Sequence, residues 1–220
     1  MKRYVPFLII AMVAAITIAC ATMLFRAKRR ELAANAVDPK PATAANIKPS
    51  HSVGPTNAPV TLEEFGDFQC PACAATSEVI RAVEKDYAKQ LRGVFWQFPL
   101  PMHAHGREAA LAAEAASRQG RFWEMHDLLY RSQATWKNLT DAQRAYEELA
   151  EEHKLDLNRF RLDAASPAVA ATVDAEHMYG EERGVKNTPT LFVNGQEFPP
   201  PFTAERLHTA IDSALNEKTP

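Results

Sequence analysis

Two cysteines three positions apart, Cys70 and Cys73, are the residues whose type and spacing point most directly to chemistry. They follow Val60-Thr61-Leu62-Glu63-Glu64-Phe65-Gly66-Asp67-Phe68-Gln69, which reads as a buried strand running into a tight turn. Cys70 falls at the N-cap of a predicted helix, and Pro71 at its first position, where a missing N–H costs nothing and φ is already helical. Val79, Ile80, Val83 and Tyr87 then recur at helical spacing and give that helix one apolar face. A thiol at such a helix start lies beside unpaired N–H groups and the positive end of the helix dipole. Both favour the thiolate, which is the reactive species. The spacing also lets the two sulfurs close a disulfide across one helical turn, so the chemistry is redox chemistry. The chain has only 3 cysteines, too few for a disulfide-stapled scaffold, and Cys20 is left outside the pair.

The run Glu64 to Cys73, E-F-x-x-F-x-C-P-x-C, resembles the active site of the thioredoxin superfamily, specifically its DsbA-like branch. A second segment, Thr188-Pro189-Thr190-Leu191-Phe192-Val193-Asn194-Gly195, resembles that family's cis-proline segment with the strand and hairpin that follow it. Phe98-Pro99-Leu100 and Gly120-Arg121-Phe122-Trp123 are also similar to this branch, and the likeness runs from about Pro55 to Leu215. It implies an α/β, thioredoxin-like fold with an inserted helical subdomain, and no cofactor. It implies that Cys70, exposed at the helix start, is the sulfur that exchanges with substrate and that Cys73 is the leaving sulfur. Glu64 matches the buried acid that relays a proton to the second cysteine; a strand-end glutamate open to water is the alternative. Pro189 would be cis and lie against the disulfide. The Thr188 backbone would then be free to take an extended peptide as an added strand, and metal would be kept from the cysteines. Two departures bear on the direction of electron flow. Ala72 stands where the strongest oxidant of the branch has a histidine, and Thr188 is more similar to isomerase-type members.

The elements that must carry these residues follow from pattern. Val60 to Phe65 is a strand whose Val60, Leu62 and Glu64 share a face. Val94 to Phe98 is a second, aromatic strand, stopped by Pro99 and Pro101. Glu63 and Asp67 read as solvated surface. From Arg107 to Gly184 the pattern is almost wholly helical, with an alanine-rich helix, an aromatic face at Phe122, Trp123, His126, Leu129 and Tyr130, and helix starts at Thr140 and Ser166-Pro167. Because strands flank it on both sides, this block reads as an insertion, over about 104–184. Thr190 to Val193 is a further strand, Asn194-Gly195 is a hairpin signal, and Thr203 caps a last helix. The domain is expected over 58–218.

Ahead of it, Tyr4 to Phe25 carries no charge and is about as long as a bilayer core of ~30 Å requires of a helix. Residues 1–30 therefore read as a membrane anchor, with a cleaved signal as the alternative. Arg26, Lys28, Arg29 and Arg30 oppose Lys2 and Arg3 in setting orientation. The redox chemistry decides for a domain outside the inner membrane, in the bacterial envelope. Thr17-Ile18-Ala19-Cys20 has only a vague likeness to a lipoprotein processing site, and Cys20 reads as a small apolar residue of the anchor. Residues 31–57, rich in Ala and Pro, read as a disordered spacer in which His51 is incidental.

A net charge of −2, from 25 basic and 27 acidic residues, gives no affinity for nucleic acid. His103 and His105 invite a metal reading with the cysteines, but those are set for a disulfide, and no metal site is expected. The reading is a thiol–disulfide oxidoreductase, foremost an oxidant. Its partners would be cysteine-containing exported proteins and a membrane or soluble redox partner that resets the disulfide. A disulfide isomerase or reductase, and a non-catalytic peptide-binding chaperone, are the alternatives.

Overall fold

In a computed structural model the chain divides into two units, Met1–Ala42 and Thr43–Pro220. The structure describes Met23 and residues 47–217, the latter all within the second unit. The anchor expected over Tyr4–Phe25 lies, save for Met23, outside the described residues, as does Cys20. Among the described residues no helix is long and apolar enough to cross a membrane.

Five strands, β1 (His51–Val53), β2 (Val60–Gly66), β3 (Leu91–Gln97), β4 (Thr190–Val193) and β5 (Gln196–Phe198), form a mixed sheet in the order β1-β3-β2-β4-β5 among the described residues. Helix α1 (Pro71–Asp86) carries the chain from β2 to the parallel β3, with Val60 opposite Leu91 and Gly66 opposite Gln97. β4 returns antiparallel to β2, setting Leu191 opposite Glu64, and turns into β5 through Asn194 and Gly195, whose φ values of 49° and 80° make a two-residue hairpin. Successive residues of β2 face opposite ways. Val60 and Leu62 pack with Ile80 and Val83 of α1 and with Leu207 and Ile211 of α8 (Ala204–Asn216). On the other face Phe65 packs with Trp96, Phe98 and Phe192.

Between β3 and β4 stand α2 (Gly106–Ser117), α3 (Phe122–Arg131), the one-turn α4 (Gln133–Trp136), α5 (Gln143–Glu152), α6 (Leu157–Ala164) and α7 (Pro167–Glu182). The alanines of α2 leave room for close approach, and α3, α5 and α6 pack on it around Met125, Leu129, Trp136 and Phe160. The Asp156 carboxylate accepts from the N–H groups of Asn158 and Arg159 at the start of α6, Ser166 accepts from Val169 N–H at the start of α7, and Thr203 caps α8.

Four expectations need correction. The spacer expected over 31–57 ends sooner, because His51–Val53 pair antiparallel with Phe95–Gly93 as an edge strand. His51 is not incidental: its ring stacks on Phe122 at 3.3 Å and its Nε2 lies 2.7 Å from Glu114 Oε1. A three-residue strand with one inward side chain leaves no periodicity to read. The helix start expected at Thr140 falls at α5, where Asp141 accepts from Gln143 N–H in its place. Glu63, read as surface, is largely enclosed, accepting from Trp96 Nε1 at 2.9 Å and pairing with Arg183 at 3.4 Å.

Candidate active site

Cys70 occupies the N-cap of α1 with φ −72° and ψ 120°, and Pro71 takes the first helical position. The turn before it is fastened from several sides. Cys70 N–H donates to the Asp67 carbonyl at 3.0 Å. Gln133, from the helical insertion, donates from Nε2 to the carbonyls of Phe68 and Cys70, at 2.7 and 3.0 Å. The insertion thus holds the backbone that aims the first sulfur.

Asp67 departs from the sequence reading. It is enclosed, not solvated, because its carboxylate accepts from the N–H groups of Gln69 (2.8 Å) and Leu100 (2.7 Å) and meets His103 Nδ1 at 2.6 Å. Those three partners supply what water would otherwise give a buried carboxylate. Gln69 ties down two more loops, donating to the Lys137 carbonyl and accepting from His105 N–H. His105 sits between the Glu108 carboxylate (2.8 Å) and the Leu139 carbonyl (2.7 Å). Both acceptors favour a proton on each ring nitrogen, so its pKa is raised, first by the Glu108 hydrogen bond. Among the described residues no group of three or more His, Cys, Asp or Glu is placed to hold a metal ion.

The two sulfurs, both free thiols, have opposite surroundings. Cys70 is more enclosed than the sequence suggests, at 6 % exposed, because the Thr188-Pro189 segment covers it. The Thr188-Pro189 bond is cis, and Cys70 Sγ lies 3.3 Å from the Thr188 carbonyl, to which the thiol donates. The buried Thr188 Oγ1 has no partner in that geometry and is at hand to donate once the proton leaves. The Cys73 thiol, donating to the Cys70 sulfur, is the largest influence on it. With the amides of Cys73 and Ala72 and the Thr188 hydroxyl, it outweighs burial and brings the Cys70 pKa from 9.0 to about 5. Cys73 is wholly buried, and burial first, then its hydrogen bond to Cys70 and the Glu64 charge, hold its thiol well above the ordinary value.

Glu64 faces the same interior from β2. Burial, then the charges of Glu84 and Cys70, raise its pKa from 4.5 to about 8, and its Oε1 has no protein partner. Cys70, Cys73, Glu64, Thr188 and Pro189 therefore converge at one end of the sheet. Sequence reasoning missed Asp67, Gln69, His103 and Gln133, which fix the loops, because their partners lie 33 to 68 positions away. It also missed Tyr130 as more than core. Its buried hydroxyl has no partner, and burial, then the charges of Cys73 and Glu64, raise its pKa well above 10.

This is the fold of the DsbA-like proteins. BdbD from Bacillus subtilis superposes with a TM-score of 0.65, at 23% identity, over 75% of this chain and 92% of that one. The alpha-DsbA1 of Wolbachia pipientis superposes with a TM-score of 0.68, at 17% identity, over 76% and 90%. A family model described as Thioredoxin matches residues 46–213, and the chain belongs to that family. Among curated proteins it is 40% identical over 166 residues to a protein of Salinispora tropica named Na(+)/H(+) antiporter NhaA 3; the match takes in 75% of this chain and 24% of that protein. The chain spans about a quarter of the length of such relatives.

Proposed function

We propose that the protein is a thiol–disulfide oxidoreductase of the bacterial cell envelope, exchanging a Cys70–Cys73 disulfide with cysteines of exported proteins, foremost as their oxidant. The observation that carries this reading is the opposed pair of sulfurs, Cys70 at a helix start among donors that lower its pKa to about 5 and Cys73 buried beside Glu64 with its pKa raised. A substrate thiolate attacks Cys70 Sγ, the Cys70–Cys73 bond breaks, and Cys73 leaves with the electron pair, taking a proton from Glu64. The second substrate thiol then loses its proton and attacks the mixed disulfide, closing the substrate disulfide and expelling Cys70 as thiolate. The substrate has lost two electrons and the enzyme gained them, and a membrane or soluble partner must remove them again. Stabilising the expelled thiolate stabilises the reduced enzyme, which makes the couple oxidising.

The carbonyl and amide edge at Thr188 would align an extended substrate beside Cys70. The uncharged Tyr4–Phe25 run supports an anchor at the inner membrane, with the domain on the outer side. A segment similar to this one, carried within proteins named as antiporters, supports a place at a membrane. Ala72 and Thr188 favour a second reading, as disulfide isomerase or reductase, because Ala72 offers no side-chain donor to the thiolate.

The test is the redox equilibrium of the protein with glutathione, read by trapping free thiols. A potential near or above ~−150 mV supports a disulfide donor, and one near ~−250 mV or lower makes the protein a reductant. No reversible couple at all sinks the redox reading.

A further inference from the structure

Residues of β2, β3, α1 and α3 line a cavity with room for water, whose polar lining residues are Glu64, Ser77, Arg81, Glu84, His126 and Asp127 and whose remaining wall is apolar. Two buried polar atoms on its wall, Glu64 Oε1 and His126 Nε2, have no protein partner. A buried polar atom without a partner costs free energy unless water reaches it. The other ring nitrogen of His126 lies 3.1 Å from Asp127 Oδ1. With the proton assigned to that nitrogen, Nε2 is left as an acceptor without a protein partner.

At the mouth, Arg81 Nε and Asp127 Oδ2 stand 3.8 Å apart, each about a third exposed, with Arg81 also bound to Glu78. Glu84 lies between this rim and the interior. Its carboxylate rests against Gly93 of β3, where a β-carbon on that residue would collide with Glu84 Oε1. We propose that this cavity is the proton port of the disulfide: water within it links Glu64 to Glu84, and Glu84 exchanges the relayed proton with solvent.

The proposal rests on the redox reading above and deepens it. When Cys73 leaves as a thiolate and takes the Glu64 proton, Glu64 is left as a buried anion. The port restores that proton, from Glu84 through water, and solvent reprotonates Glu84. When Cys73 attacks a mixed disulfide, the proton runs outward by the same route. Glu84 does not touch the sulfurs and acts through Glu64. The titratable and charged groups around the route are Glu78, Arg81 and Glu84 on α1, His126 and Asp127 on α3, and Glu64 on β2, with His51 of β1 acting on His126 from further off. Burial, then the Asp127 charge, brings the Glu84 pKa from 4.5 to about 7, against Glu64 at about 8, so the two acids can trade a proton near neutrality.

The test is rapid-quench reduction of the oxidised protein by dithiothreitol across pH 6 to 8, the span of the two acids, in sparse buffer and with added imidazole. Glu84→Gln keeps the shape of the side chain and removes its proton chemistry. The expected result is a loss of ~10-fold in rate near neutral pH in sparse buffer, the low end for a lost proton-transfer group. Small imidazole molecules should recover most of it, while the unsubstituted protein stays indifferent to buffer. A Glu84→Gln protein as fast as the original, or slowed with no recovery by imidazole, overturns the port, since a purely structural loss is blind to buffer. Glu64→Gln separates the layers: if it is slow and Glu84→Gln is not, the port fails and the relay stands. If neither is slow, the relay itself fails.

Discussion

Cys70 and Cys73 lie one helical turn apart on the same helix, yet the molecule treats them as different chemical groups. At the helix start the surroundings are donors: the Cys73 thiol, two backbone amides and the Thr188 hydroxyl, together enough to outweigh the burial of Cys70. One turn further in, Cys73 meets burial and the charge of Glu64, and its proton is held fast. On the proposed function, electron traffic through the first sulfur and proton traffic at the second would thereby be separated in space. A helix start alone would lower both pKa values a little; the contrast comes from what the insertion and the cis-proline segment place around that start.

Removing one sulfur at a time tests the contrast with the largest effect. Cys70→Ser should abolish exchange with substrate thiols. Cys73→Ser should instead accumulate a mixed disulfide at Cys70 with a small disulfide reagent, seen as a stable mass adduct. An adduct that forms equally well at Cys73 when Cys70 is replaced would erase the proposed division of labour.

Replacing the acid below should cost less. Glu64→Gln is expected to slow proton-coupled reduction by about 10²-fold, with Cys70 still the thiol that is modified. Stability should move the opposite way. The folded pKa of Glu64 lies above its ordinary value, so the protonated acid is favoured in the folded chain between about 4.5 and about 8. Its ionisation costs nothing below that window, and stability is lost as pH rises through it. Glu64→Gln should therefore raise stability above pH 8, by a few kcal/mol as an order of magnitude, and leave it nearly unchanged at pH 4. Denaturant unfolding at the two pH values reads the difference.

The smallest effect belongs to the covering segment. Thr188→Val keeps the shape and the carbonyl but removes the hydroxyl donor, so the Cys70 pKa should rise by roughly one unit, the scale of a lost hydrogen bond to a charged group. The rate of alkylation against pH gives that value directly.

What could be read in the sequence was local. The Cys70-Pro71 helix start, the Val60-to-Phe65 strand and the Asn194-Gly195 hairpin each declare themselves within a few residues, since caps, alternation and turn chemistry act at short range. Glu64 was legible for a related reason: a carboxylate in line with Val60 and Leu62 is out of place unless the interior uses it. Groups whose meaning depends on distant partners were not legible. Asp67 looked like a solvated turn residue until Leu100 and His103 closed on it. His51 looked like part of a spacer until Glu114 and Phe122 received it. Glu84 drew no reading from the sequence, and only the packing of α3 and the closeness of Gly93 make it part of an interior.

The most direct test of the central claim is the thiolate absorbance of the reduced protein as a function of pH, with Cys73→Ser as the assignment control. One thiolate should appear with a midpoint near pH 5, persist in the Cys73→Ser protein, whose serine hydroxyl can still donate to it, and be followed by no second thiolate below pH 9. Two thiolates that ionise together near the ordinary cysteine value of about 8.5 would contradict the account.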